Sequence, residues 1–260
     1  MPTLRDIEQA IFELAPKEFA MEGDNVGLLV GRPDREAEKI LVALDVTEDV
    51  AEEAAGRGAG LIVAHHPVMN CAWSPVQTIR DDAPQGRLLL RLIEDGIAAI
   101  CMHTNLDRAE GGVNDALAAR LGLTNVEKLP GGDGVLRVGE LPEEAALSGF
   151  LRRVKEALGP NGIRYADGGK PIRRVAVGGG ACGGYLWAAA ENGCDAFVTS
   201  DLKYNQFLDA RDVGLTVIDA GHFPTEDVVC PVLVQYLAER FPGVSVEKSA
   251  SHREAIQYYL

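Results

Sequence analysis

The sequence predicts an α/β fold of two related lobes with largely parallel sheets. Three observations predict it: strand and helix signals alternate along the whole chain, the alternation restarts in the second half, and both halves end their third strand on His-x-x-x-acid. The opening "MPTLRDIEQAIFELAPKEF" spaces its apolar residues as an amphipathic helix does and lacks the core of a signal peptide. "KILVALDV" (39–46) is a buried strand, and "TEDVAEEAAGRG" an acid-started helix ending at Gly58. "LIVAHH" is the second strand, "GRLLLRLIEDG" a helix ending at Gly96, "IAAICMH" the third strand, and "GGVNDALAARLG" a further helix.

The second half follows the same plan. "RRVAVGGG", "DAFVTSD" and "LTVIDAGH" read as strands, "YLWAAAENG" and "NQFLDARDVG" as the helices between them, and "TEDVVCPVLVQYLAERF" as one closing helix. With a shift of 135, Val42 falls on Val177, Gly58 on Gly193 and Val63 on Val198. With a shift of 119, His103 falls on His222 and Asp107 on Glu226. The turn-rich "PGGDGV" (130–135) is the expected hinge, giving lobes 1–129 and 130–260, with the C-terminal segment free to pack back on the first lobe.

Composition narrows the function classes. The 260 residues suffice for a sizeable core, and 47% hydrophobic with 25% charged residues is ordinary for a globular protein. A net charge of −14 repels phosphate backbones, which argues against nucleic-acid binding. No apolar stretch approaches the roughly 20 residues that span a bilayer, so no membrane role is expected. Cys71, Cys101, Cys182, Cys194 and Cys230 are odd in number and form no CxxC pair, as expected of reduced thiols in a cytoplasmic protein.

Four of the five histidines sit at predicted strand ends: His65 and His66 on one, His103 on another, His222 on a third. Asp107 and Glu226 each follow a histidine by four residues. Side chains on a strand alternate in direction, so adjacent histidines share one space only where the strand turns into a loop. That is where open α/β sheets place their chemistry. Imidazole and carboxylate without thiolate suit a divalent ion such as zinc, manganese, iron or cobalt. Adjacent histidines can each serve one of two neighbouring ions, with a carboxylate bridging them. His252, away from any such pattern, reads as a hydrogen-bonded structural residue. A rival motif is "GGGACG" (178–183), a G-x-G-x-x-G with Asp201 about 20 residues on, the fingerprint of a dinucleotide-dependent oxidoreductase. Against it, the first lobe carries "LDVTED" at the matching turn, and the chain left after Asp201 is short for a second nucleotide-binding half.

"DNVGLLVG" (24–31), "LDVTEDV" (44–50), "AHHPVM" (64–69), "HTNLDRAEGGVNDALAARLGL" (103–123), "TSDLKY" (199–204) and "DAGHFPTE" (219–226) occur in an order that resembles the NIF-three-like dinuclear metal-centre family. Members of that family are often named type II homologues of GTP cyclohydrolase I. The resemblance implies two divalent ions per chain, zinc, iron or manganese, held between the lobes. It makes His65, His66, Asp107 and His222 ligands and Glu226 the bridging carboxylate, with His103 near the metals. It also implies a toroidal homohexamer, a trimer of dimers, in the compact form without an inserted domain. The chain departs from the family pattern at "MEG" (21–23), where a Trp is usual, and at "NCAWSP" (70–75), where lysines are common. Both departures bear on substrate contacts rather than metal ligands.

The expected function is metal-dependent hydrolysis of a phosphoester, nucleotide or cyclic amide, with Glu226 at the metals and His103 shuttling the proton. Lys203 is a candidate contact for substrate phosphate, and Asp45 and Asp201 are candidates for orienting ligands or capping helices. The alternative is a non-catalytic metal-binding scaffold, carrier or regulatory protein.

Overall fold

The computed structural model describes residues 1–69 and 75–259, so most of the "NCAWSP" stretch, Cys71 included, lies outside the described residues. The protein is mixed α/β, with two sheets of mostly parallel strands. Two compact units are present: Met1–Glu110 with Cys230–Arg253, and Gly111–Val229 with Glu254–Leu260.

The first unit opens with α1 (Leu4–Leu14). Thr3 starts it reciprocally: its hydroxyl accepts the Asp6 N–H, and the Asp6 carboxylate accepts the Thr3 N–H. Then come β1 (Gly27–Val30), β2 (Lys39–Ala43), α2 (Glu48–Arg57), β3 (Leu61–Ala64), α3 (Pro84–Glu94), β4 (Ala98–Cys101) and the short α4 (Thr104–Arg108). β3 and β4 are buried along their whole length, which is why they read as unbroken apolar runs. Val50, Ala54, Leu89 and Leu92 from the helices pack with Leu41, Ile62 and Ala99 of the sheet.

The second unit contains α5 (Val113–Arg120), β5 (Thr124–Lys128), β6 (Arg137–Ala145), α6 (Leu147–Leu158), β7 (Arg164–Ala166) and β8 (Ile172–Val177). It continues through α7 (Leu186–Glu191), β9 (Ala196–Thr199), α8 (Tyr204–Asp212), β10 (Thr216–Asp219) and α9 (His222–Glu226). Its sheet runs β5-β6-β8-β9-β10-β7, with β8, β9 and β10 parallel at the centre and antiparallel strands at both edges. The 130–135 turn joins β5 to the antiparallel β6 and lies inside this unit. Phe150 and Val154 of α6 are buried against Val175, Val177 and Val198.

The segment expected as one closing helix is three elements: α9, a 3-10 turn at Asp227–Val229, and α10 (Cys230–Arg240). Pro231 supplies the reason. It donates no N–H, its ring crowds the carbonyl four residues back, and it is tolerated only in a helix's first turn. After α10 the chain forms β11 (Ser245–Lys248), which joins β2 in parallel, so the first sheet runs β1-β4-β3-β2-β11. Among the described residues no helix is long and apolar enough to cross a membrane. Cys101, Cys182, Cys194 and Cys230 are buried thiols.

Candidate metal centre

In the first unit β3 ends at Ala64, and the ladder alternation ends with it. The Leu44 carbonyl accepts both the His65 N–H at 3.1 Å and the His66 N–H at 2.9 Å. Two successive amides turned onto one acceptor leave the strand, which allows neighbouring side chains to converge. Their ring centroids lie 4.8 Å apart, and the His103 ring lies 5.5 Å from His65 and 5.7 Å from His66. His65 is fully buried. Asp107, one helical turn after His103, places Oδ1 3.6 Å from His65 Nε2.

Two of these imidazoles are held by carboxylates at Nδ1: His66 by Asp45 at 2.7 Å and His103 by Asp24 at 2.9 Å. Asp24 also accepts hydrogen bonds from the Thr104 N–H and hydroxyl and from the Asn25 N–H. Burial opposes its charge, but the bonds from His103 and Thr104 prevail and hold its pKa well below the usual carboxylate range. Asp45 behaves alike: burial raises its pKa, and the stronger pull of His252 and His66 presses it far down. Both remain anionic acceptors. Each histidine so held carries its proton on Nδ1 and its lone pair on Nε2.

In the second unit His222 and Glu226 begin and end α9, so their spacing of four puts them on one face. His222 Nε2 lies 3.0 Å from Glu226 Oε2, and Asp201 takes His222 Nδ1 at 2.5 Å. Burial disfavours a charged His222, but Asp201 and then Glu226 outweigh it and raise the pKa to about 10. Asp201 adopts a left-handed φ of +54° at the end of β9, and the bond to His222 is the largest cause of its lowered pKa.

The glycine-rich turn closes around this acid. A Cβ at Gly180 would clash with Glu226 Oε1 and lie 3.1 Å from His222 Nε2, and one at Gly179 would meet Glu226 Cγ at 3.1 Å. The close approach that "GGGACG" permits is therefore used by the protein's own carboxylate, and Asp201 is engaged by His222. Lys203 is exposed before α8, its N–H donating to Gln206 Oε1.

The structure thus gathers His65, His66, His103 and Asp107 in the first unit, and His222 and Glu226 in the second. These donors fit a divalent ion: imidazole and carboxylate oxygen, no thiolate, and carboxylates fixing the rings. Sequence reasoning assigned no role to Asp24, within "DNVGLLVG", and read His252 as a hydrogen-bonded structural residue without finding its partner. His252 meets Asp45 Oδ2 through Nε2 at 3.1 Å, a neighbour about two hundred residues away that no local pattern announces.

The sequence profile of the Duf34/NIF3 (NGG1p interacting factor 3) family matches residues 2–255. The chain is 36% identical over 238 residues to the "GTP cyclohydrolase 1 type 2 homolog" of Clostridium perfringens (strain 13 / Type A), covering 89% of this chain and 88% of the relative. It is 38% identical over 216 residues to the protein of the same name from Lactococcus lactis subsp. lactis, covering 81% and 82%. Among solved structures, a Bacillus cereus protein related to NIF3 superposes with a TM-score of 0.92 at 27% identity, covering 100% of this chain and 99% of that one.

Proposed function

Because the chain belongs to the Duf34/NIF3 (NGG1p interacting factor 3) family, we propose that it binds two divalent metal ions and acts as a metal-dependent hydrolase on a phosphoester, nucleotide or cyclic amide. His65, His66, Asp107, His222 and Glu226 are the proposed ligands. The observation that carries the reading is the repeated carboxylate at Nδ1 of His66, His103 and His222, the arrangement that fixes metal-binding imidazoles. The nucleotide and cyclic-amide substrates take their direction from the relatives' names.

Two bound divalent ions would supply an acidified water and polarise the bond to be cut. The protein's own residues do the rest. Asp24 holds His103 with its basic Nε2 turned away from the carboxylate, ready to take a proton from the nucleophile and return it to the leaving group. Asp45 and Asp201 fix the rings of His66 and His222. A homohexamer, a trimer of dimers, is part of the same proposal.

Metal content after purification tests the ligands. His65→Ala and His66→Ala should each remove about one equivalent if the two rings serve different ions, and Glu226→Gln should lower both sites. Full occupancy in all three variants would end the reading. Screening the metal-loaded protein against phosphoesters, nucleotides and cyclic amides tests catalysis: turnover lost in His103→Ala supports it, and no turnover with any metal leaves a metal-binding scaffold or carrier.

A further inference from the structure

We infer that His252, beyond β11, is a positioning residue for the His65–His66 pair; the inference rests on the reading that this pair ligates metal. All the residues concerned belong to the first unit. His252 Nδ1 accepts the Leu44 N–H at 3.3 Å, which puts the ring proton on Nε2, and Nε2 lies 3.1 Å from Asp45 Oδ2. The other Asp45 oxygen takes His66 Nδ1 at 2.7 Å. The Leu44 carbonyl takes the N–H groups of His65 and His66.

One imidazole therefore grips two consecutive residues, Leu44 by its amide and Asp45 by its carboxylate. Those two residues in turn fix the backbone of both histidines and the ring of one. The Asp45 side chain is 41% exposed and is gripped by His66 on one oxygen and by His252 on the other, whereas the His252 side chain is only 8% exposed. His252 is itself anchored: its N–H donates to Ser249 Oγ at 3.2 Å, and Ser249 Oγ donates to Glu53 at 2.6 Å. Glu53 also accepts the N–H groups of Ala250 and Ser251 and the Ser251 hydroxyl. A segment far away in sequence is thus tied down at one end by α2 and holds the histidine pair at the other.

Without the His252 ring, Asp45 can swing toward water and the His66 imidazole can exchange tautomer. Removing such an outer partner weakens metal binding about 10- to 100-fold. The experiment loads the full-length protein with Co2+, titrates it with a chelator, and reads the visible absorption of the bound ion. His252→Ala should weaken Co2+ binding at least about tenfold and alter the absorption bands. His252→Gln, whose amide can again donate to Asp45, should recover most of both. Melting of the metal-free proteins runs alongside, and the Gln variant carries the test should the Ala variant fail to fold. Wild-type Co2+ affinity and spectrum in His252→Ala would overturn the inference, whatever its melting temperature. His66→Ala in the same titration separates the two levels. If it retains all its Co2+, the reading of His66 as a metal ligand fails; if it loses Co2+ while His252→Ala does not, only the role of His252 fails.

Discussion

Gly180 holds φ at +64°, and its missing Cβ makes room for the Glu226 carboxylate. Gly180→Ala therefore combines backbone strain with displacement of a proposed bridging oxygen. A loss of about 1–3 kcal/mol in stability is expected, with metal content falling as well. Gly184→Ala, where a Cβ meets nothing within 4 Å, is the matched control and should change neither. Calorimetry with metal analysis checks both; a Gly180→Ala protein with full metal and unchanged melting would show that Glu226 can shift without consequence. The ligand candidates were legible in the sequence, because histidine is rare in the chain and His65, His66, His103 and His222 all fall where an apolar strand gives way to a loop. Their holders were not. Asp24 and His103 stand 79 residues apart, and only the folded chain brings that carboxylate to that ring.

The helix α2 shows how an element outside the site can govern it. Glu53 on its inner side gathers Ser249, Ala250 and Ser251 after β11. Burial opposes its charge, but the Ala250 N–H and the Ser249 and Ser251 hydroxyls outweigh this and lower its pKa from 4.5 to about 2. A carboxylate depressed by folding stabilises the protein fully above about pH 4.5, and that contribution is lost as the pH falls toward about 2. Glu53→Gln should cost about 1–2 kcal/mol at neutral pH and flatten this acid limb of the stability curve. Urea denaturation at several pH values measures both; an unchanged acid limb would remove Glu53 as its source. The parallel strands with unbroken apolar runs could be read from sequence because burial on both faces writes itself into composition. β5 could not, since all its residues are exposed, nor could β11, whose short "SVEK" gains strand character by pairing with β2.

Over the whole molecule the net charge of −14 acts against self-association. In the proposed hexamer six such chains repel one another, so assembly should strengthen as salt rises from about 0.02 to 0.3 M, where screening shortens the repulsion. Light scattering across that range tests it; a monomer at every ionic strength would remove the ring from the proposal. The order of strands in the first sheet also bears on how the protein is made. β2 lies near the beginning of the chain, yet its neighbour β11 starts at Ser245 and pairs Ser245 with Lys39. On the ribosome, at roughly 5–20 residues per second, the β2 edge must wait on the order of ten to forty seconds for its partner. Through that interval its backbone N–H and C=O groups are open to any passing strand, including the same edge on the next nascent chain of the polysome. Translation speed and chaperone occupancy between the emergence of β2 and that of β11 thus become determinants of yield for this protein.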